Sequence, residues 1–415
     1  MFNLSSNFQE KPKGKQKGKG WRLFQAKDFQ TLMYPCFTFC RILGIFPYKI
    51  NASTFVASKL YYTLWTVVIG VSYGINALAY ILHGSSIFGK IDMKILPRTL
   101  GSICVFVFGG FIMVVTFILS GPRMRLLQIL LNISSRLPAE SYQKLSRLIH
   151  AKDVIGFICL IENMFIRMLK LRVNSMFHTY IILVVFQMDM LYINCVCVLK
   201  ACFKRINDNL AHMRELIIND NSHGSRLTYE QRNPFLIMEL KALKRQHMTI
   251  SDTVHKLNMI FSLQLLATVV MTFSDVTITL YYYVLDWQHI PLMSTSMKAL
   301  SHTYYLSRLM YYGVKMGLVT WACETGKNQA LQITISIHDI SNNITDKQIK
   351  DELQLFSLQT LHCENTFSAK GLTVDAKLLA AIVGSIIMYV LILFQFMHMS
   401  YSCERKIATN ITEVI

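Results

Sequence analysis

The sequence predicts an all-α membrane protein with seven transmembrane helices. Its 415 residues are 53% hydrophobic and only 16% charged, whereas about a quarter of an ordinary soluble chain is charged. The chain contains only 8 prolines and 19 glycines, which are too few for an all-β protein that needs many turns. Several apolar runs reach the roughly 20 residues with which a helix crosses about 30 Å of hydrocarbon.

Seven stretches of the chain fit a membrane-spanning helix. Two of them are less clear, because the third is flanked by basic residues and the sixth contains Arg308 and Lys315. The predicted spans are about 59–82, 100–120, 153–172, 176–199, 257–285, 301–323 and 378–400. The others are long and almost free of charge, a pattern that an amphipathic soluble helix does not show.

The segments outside these spans complete the predicted domain organisation. Residues 1–30 form a basic tail, residues 31–400 form one seven-helix domain, and residues 401–415 form a C-terminal tail. The apolar run 32–50 is interrupted by Pro35 and a second proline. Because proline disrupts helical hydrogen bonding, we expect this run to be an interfacial or re-entrant segment.

Lysine and arginine are concentrated in alternate connecting segments. Of the 42 basic residues, 30 fall in the N-terminal tail and the connections on its side, and only nine fall on the other side. Cytosolic segments retain positive charge, so we expect a cytosolic N-terminus, an extracellular C-terminus and a multi-pass protein of the plasma membrane. A G-protein-coupled receptor has the opposite orientation and is excluded.

The basic N-terminal tail has two interpretations. A run of lysines is compatible with nucleic-acid binding, but no aromatic residues or folded nucleic-acid module accompany it. A flexible cytosolic tail that touches anionic membrane lipids explains the same charge. We therefore predict membrane lipids, and no nucleic acid, as its partner.

The sequence contains no pattern typical of an enzyme. Neither H-E-x-x-H nor G-x-S-x-G occurs, and no pair of the ten cysteines has the C-x-x-C spacing of a zinc site. We predict no catalytic residue, no cofactor and no metal.

Charged side chains occur inside the predicted spans, where each costs about 2.5–3.5 kcal/mol on insertion scales. Such residues either pair to lock helices together or line a polar cavity, and we favour the cavity for the acids. Aromatic rings with carboxylate and amide groups are typical of sites for sugars and other polyols. The candidate ligand-binding residues are Glu162, Gln187, Asp189, Asp275, Tyr282, Tyr305 and Tyr312. Each tyrosine alone also fits an aromatic belt at the membrane interface.

The run 352–396 resembles the C-terminal signature of insect gustatory receptors. That signature ends Thr-Tyr-x5-Gln-Phe in the last span; Tyr389, Gln395 and Phe396 match it, and Met388 stands where threonine is expected. The resemblance implies a seven-helix cation channel opened by tastants in sensory neurons. It further implies a tetramer of identical or related subunits whose seventh helices line the pore. The general pattern is nearest to the sugar (fructose) receptor branch, so a sugar is the favoured ligand.

Helical spacing gives the expected pore a physical basis. One stripe of the last span contains Gly384, Met388, Leu391, Ile392, Gln395 and Met399. Four copies would place a ring of glutamine amides on an apolar lining, which closes by dewetting and opens when the amides wet it. The predicted pore and gate residues are Gln395, Phe396, Met388, Tyr389, Leu391 and Ile392. The alternative is that Gln395 forms hydrogen bonds between helices.

One other function remains open from the sequence, namely an odorant-type or bitter chemoreceptor subunit that needs a co-receptor or signals without conducting. A secondary transporter is a third class, but it predicts inverted internal repeats, and the sequence shows none.

Overall fold

The computed structural model is built almost entirely of α-helix, as the sequence predicts. The structure describes residues 24–46, 48–51, 54–57, 59–87, 96–171, 176–222, 226–289, 295–344 and 346–414. Most of the predicted basic tail, residues 1–23, lies outside these ranges.

Ten helices follow one another in the described ranges. They are α1 (Phe29–Ile42), α2 (Lys59–Ile87), α3 (Leu96–Ile118), α4 (Ser120–Ser134), α5 (Ala139–Leu171), α6 (Met176–Ser222), α7 (Arg226–His289), α8 (Thr295–Asn343), α9 (Lys347–His362) and α10 (Ala376–Val414). Two antiparallel hairpins join β1 (Tyr48–Asn51) to β2 (Thr54–Ala57) and β3 (Ser368–Ala369) to β4 (Leu372–Thr373). The β1 strand pairs Tyr48 with Ala57, and the β3 strand pairs Ser368 with Thr373.

Every predicted span coincides with helix, but several helices are much longer than the spans. Helices α6, α7 and α8 contain 47, 64 and 49 residues. At 1.5 Å per residue α7 is about 96 Å long, roughly three times the thickness of the hydrocarbon core. These helices therefore extend far beyond one face of any membrane that they cross.

Four helices in the described part of the chain are long and apolar enough to cross a membrane. The qualifying stretches are Gly101–Ile118, Met176–Ile217, Pro234–Asp286 and Ala376–Phe396. Helices α2, α5 and α8 are not among them; the apolar stretch described in α2, Thr63–Ile75, is shorter, and α5 and α8 contain the two less clear spans. Their charged residues are the ones that meet inside the bundle.

The apolar run near the N-terminus is not interrupted at Pro35, because Pro35 lies inside the continuous helix α1. Asp28 caps this helix by accepting a hydrogen bond from the Thr31 backbone at 2.8 Å. Its side chains Leu32 and Cys36 are buried against the bundle. With 14 residues, α1 is about 21 Å long, which is too short to cross the hydrocarbon core.

Helix α6 is the centre of the bundle and α10 lies at its edge. Within Met176–Ile217, 94% of the apolar stretch is buried, whereas only 6% is buried within Ala376–Phe396. Helices α1, α3, α5, α7 and α8 all pack on α6.

The connection that leads into α10 is anchored on α7. Helix α9 buries Phe356, and Lys244 of α7 lies 2.9 Å from Glu352. The Asn258 side chain of α7 donates to the Thr366 carbonyl at 2.7 Å and accepts from the Ser368 backbone at 3.2 Å. Helix α9 ends at His362, and the β3–β4 hairpin follows it before α10 begins.

Candidate ligand-binding site and pore helix

Charged side chains of α5, α6, α7 and α8 form three layers along the bundle. In the deepest layer the Lys315 ammonium lies 3.4 Å from an Asp189 carboxylate oxygen, and both side chains are fully buried. The other oxygen of Asp189 accepts hydrogen bonds from Thr268 at 3.1 Å and from Gln264 at 3.4 Å. The carboxylate of α6 is therefore held by side chains of two other helices, α7 and α8.

The middle layer is centred on Asp275 of α7. One carboxylate oxygen lies 3.2 Å from the Arg308 guanidinium, and the other accepts a hydrogen bond from the Tyr312 hydroxyl. Arg308 also donates to the Tyr304 hydroxyl at 2.9 Å. Both charges of this layer are compensated inside the protein.

The third layer lies where α7 ends and α8 begins, and it is centred on Asp286. Its carboxylate accepts from the Tyr305 hydroxyl at 2.7 Å and from Ser301 at 3.2 Å. The Lys170 ammonium of α5 lies 3.2 Å from the same oxygen. That ammonium also sits 4.7 Å from the centre of the Tyr305 ring.

Helical periodicity explains why the layers align. Residues three or four positions apart share one face of a helix, and the polar residues of α8 follow this spacing: Ser301, Tyr305, Arg308, Tyr312 and Lys315. Asp275 and Asp286 of α7 are 11 residues apart, close to three full turns. The two faces meet along their length, so each acid of α7 contacts a tyrosine of α8. The base that pairs with Asp275 also comes from α8, whereas the base that pairs with Asp286 comes from α5.

Tyrosine rings surround the third layer. Tyr305 lies 5.5 Å from Tyr283 and 5.2 Å from Tyr304, both edge to face. Tyr282 packs against the same cluster and is half-buried. We refer to Tyr282, Tyr283, Tyr304 and Tyr305 as the tyrosine cluster.

A second group of basic residues adjoins the tyrosine cluster. The Arg167 guanidinium of α5 lies 2.9 Å and 3.0 Å from the two ring nitrogens of His178 of α6. Sequence reasoning treated Arg167 and Lys170 only as flanking charges and overlooked Asp286 just beyond the fifth span. The sequence did contain a signal for Asp286, because it follows Asp275 by about three helical turns and so shares its face of α7.

Five of the seven predicted ligand-binding residues belong to these layers, namely Asp189, Asp275, Tyr282, Tyr305 and Tyr312. The structure places the other two elsewhere. Glu162 lies on an exposed face of α5. Gln187 faces α1, where its side chain donates to the Cys36 carbonyl at 3.1 Å. The residue composition of a predicted span does not reveal which face of the helix each residue occupies.

The predicted pore stripe of α10 faces away from the subunit's own bundle. Ile386 is 6% exposed and packs inward, whereas Met388 is 63% exposed. Gln395 lies nine residues from Ile386, half a turn around the helix, and is also exposed. Leu391, Ile392 and Phe396 are likewise exposed.

Tyr389 is the exception among the predicted pore residues. Its ring meets Phe273 of α7 edge to face at 5.7 Å. Phe273 precedes Asp275 by two residues, so this contact joins α10 to the helix that carries the middle layer.

The fold resembles that of the insect olfactory receptor OR5 from Machilis hrabei. The structure of that receptor with eugenol matches with a TM-score of 0.67 and 12% identity, covering 89% of this chain and 98% of that one. The structure of the same receptor described without eugenol gives the same TM-score and identity over 88% of this chain. No curated protein sequence matches. The family model of 7tm chemosensory receptors matches residues 33–400, and the chain therefore belongs to that family.

Proposed function

We propose that this chain is a gustatory receptor, a subunit of a tastant-gated, non-selective cation channel in the plasma membrane of a sensory neuron. Its N-terminus is cytosolic and its C-terminus extracellular, in keeping with the distribution of lysine and arginine. Four identical or related subunits surround one pore, and membrane lipids cover the outside.

The observation that carries this proposal is the orientation of the α10 stripe. An apolar helix that exposes one face in the single chain requires other cover for that face, because exposed apolar patches mark interaction surfaces. Membrane lipid covers apolar side chains well, but it leaves the amide of Gln395 unsatisfied. A ring of four such amides around water satisfies them and provides a path for cations.

The lining of this pore is mostly apolar. Met388, Leu391 and Ile392 precede Gln395 on the same side of the helix. A narrow apolar passage closes by dewetting, and a small rotation of the helices exchanges apolar and amide groups at the constriction. Met388, in place of the threonine that the resemblance implies, makes the lining more apolar.

The ligand site of the proposal is the part of the bundle that holds the middle and third layers and the tyrosine cluster, whereas the fully buried Lys315–Asp189 pair joins the helices. A small polar molecule such as a sugar is the class that the sequence favours. The olfactory receptor OR5 was solved in complex with eugenol, which supports small-molecule recognition on this fold. The contact between Tyr389 and Phe273 provides a route from the cluster to α10.

The experiment is to express the chain alone and to record currents while applying sugars, bitter compounds and organic acids. We expect a ligand-evoked cation current in the wild type. The Gln395→Ala variant should alter ion selectivity or pore block. Gln332→Ala is the matched control, because Gln332 is an exposed glutamine of α8 outside the pore helix. A current whose selectivity and block ignore Gln395 would refute the proposed pore.

An odorant-type or bitter subunit with a co-receptor is the second candidate, because the fold matches an olfactory receptor. The two candidates predict different currents. A chain that reaches the cell surface and carries no current alone, but conducts when a co-receptor is present, would favour the second candidate. A chain that signals without any current would favour the non-conducting alternative.

A further inference from the structure

Basic groups outnumber acids at the end of the bundle where α7 ends and α8 begins. Arg167 and Lys170 of α5 and Arg308 of α8 meet there with only two described carboxylates, Asp275 and Asp286. Lys170 is paired with Asp286, and Arg308 is paired with Asp275. One positive charge is left over, and it belongs to Arg167.

The only side chain that the Arg167 guanidinium meets at hydrogen-bond distance within the described residues is His178. The guanidinium points at the two ring nitrogens at 2.9 Å and 3.0 Å. The charge of Arg308 repels the guanidinium of Arg167, and the charge of Asp275 attracts it, but Asp275 is already paired with Arg308. No described carboxylate lies within 4.0 Å of Arg167, so a histidine ring stands where an acid is expected.

A partly buried guanidinium without a carboxylate partner of its own is costly. Arg167 lies four residues before the end of α5, about 6 Å along the helix axis. Charged side chains inside membrane segments are rare, and they usually pair or mark a ligand pathway. The guanidinium fork matches the two oxygens of a carboxylate, which binds it through parallel hydrogen bonds.

We infer that the site at this end of the bundle binds a small carboxylate, with the guanidinium of Arg167 as its charge partner. The inference rests on the proposed function for the location of the ligand site. In this inference the rings of the tyrosine cluster contact the carbon skeleton of the ligand, while its carboxylate meets Arg167. Sugar acids, hydroxy acids and amino acids belong to this chemical class.

Neutral sugars fit the cluster less well. Sugar hydroxyls are bound best by carboxylates that have free acceptor oxygens, but the oxygens of Asp275 are taken by Arg308 and Tyr312. The contacted oxygen of Asp286 likewise serves Tyr305, Ser301 and Lys170. Cationic ligands are opposed by the excess positive charge.

The test compares acids with their neutral counterparts. The wild-type receptor, purified in phosphatidylcholine nanodiscs, is heated with glucuronate or glucose, with lactate or propane-1,2-diol, and with glutamate or glutamine. We expect at least one acid to raise the melting temperature while its neutral counterpart does not. The inference would be overturned if each acid and its neutral counterpart raised the melting temperature equally, or if no acid raised it.

Variants of Arg167 identify the responsible group. Arg167→Gln should weaken binding of the acid by about tenfold to a hundredfold, and Arg167→Lys should recover part of it because the charge remains without the fork. Arg125→Gln is the control, because Arg125 is exposed on α4. Equal binding by wild type and Arg167→Gln would contradict the inference. Should Arg167→Gln fail to fold, the comparison of acid and neutral pairs on the wild type decides alone.

Two further arms distinguish a free acid from an anionic lipid, and ligand binding from ion conduction. Anionic lipid carries the same charge, so the melts are repeated with phosphatidylserine in the nanodiscs. Stabilisation by that lipid but by no free acid would assign Arg167 to the membrane and refute the inference. Currents are recorded separately: acid-specific stabilisation without any current refutes the proposed channel but leaves the carboxylate site in place.

Discussion

Lys315 of α8 and Asp189 of α6 form an ion pair inside the bundle, with 3.4 Å between the ammonium and a carboxylate oxygen. The ammonium also lies 5.5 Å from the centre of the Tyr312 ring. Buried charges are tolerated only as a pair, because the loss of one partner leaves the other charge buried and uncompensated. This pair therefore joins α6 to α8.

Removing one member of this pair should damage the fold. We expect Asp189→Asn or Lys315→Met alone to lower the free energy of unfolding by about 3–5 kcal/mol and to reduce surface expression. The double variant should recover most of the loss, since no isolated charge remains. Surface biotinylation and thermal melting measure both effects. A single variant that reaches the surface normally but responds poorly to ligand would instead assign Asp189 to ligand binding.

The hydroxyl of Tyr312 contributes a single hydrogen bond to the middle layer. Tyr312→Phe removes the donor to Asp275 while the ring remains in place. We expect a loss of about 1.5–3 kcal/mol, the range for hydrogen bonds to charged groups. Tyr311→Phe is the matched control, because the neighbouring tyrosine is equally buried and makes no described hydrogen bond through its hydroxyl. Melting temperatures that fall equally in both variants would contradict this assignment.

The sequence identified the helices better than the partners of their charges. Long apolar runs with few prolines and glycines specify helix through local physics, and all seven predicted spans are helical. The partner of Arg308 could not be identified in this way, because its pairing with Asp275 depends on how α7 and α8 are rotated about their axes. One helix alone does not encode that rotation.

Glu162 and Gln187 illustrate the same limit. Both are polar residues within predicted spans, and both were assigned to a cavity for that reason. Glu162 faces outward on α5, and Gln187 bonds to the backbone of α1. The position of α1 was itself unpredictable, because Pro35 suggested an interruption where the helix is continuous. Burial of the α1 side chains outweighs the single hydrogen bond that proline removes.

His247 links α7 to α9 through a buried ring, ten residues before the predicted span 257–285. The ring is fully buried beside Phe356, and one nitrogen lies 3.1 Å from the Gln359 amide. Burial lowers the pKa of His247 from 6.5 to about 4, because the charged ring loses its hydration. The folded chain therefore favours the neutral form.

Acidification should destabilise this contact. Between pH 6.5 and about 4 the unfolded chain binds a proton that the folded chain does not, so stability falls as the pH falls. The shift corresponds to about 3 kcal/mol. The fall in melting temperature from pH 7.5 to pH 4.5 should be smaller for His247→Gln than for the wild type. His255→Gln, at an exposed position of the same helix, should behave as the wild type. An equal drop in the wild type and His247→Gln would rule out this origin.

Tyr389 should transmit ligand binding to the pore helix. Its ring meets Phe273 at 5.7 Å with the planes nearly perpendicular, an arrangement that is worth about 1 kcal/mol beyond its buried area. If this contact couples the ligand site to α10, its loss weakens the coupling by a similar amount. Tyr389→Ala should then raise the ligand concentration for half-maximal current about fivefold.

A matched pair of variants separates coupling from pore lining. Tyr389→Phe retains the ring and its contact with Phe273 but removes the hydroxyl, so we expect a near wild-type response. Phe273→Ala removes the other side of the contact, and should reproduce the effect of Tyr389→Ala without changing ion selectivity, because Phe273 lies on α7. The double variant should be no worse than either single one, since both remove the same interaction. Fully additive shifts would show that Tyr389 acts in the pore independently of α7.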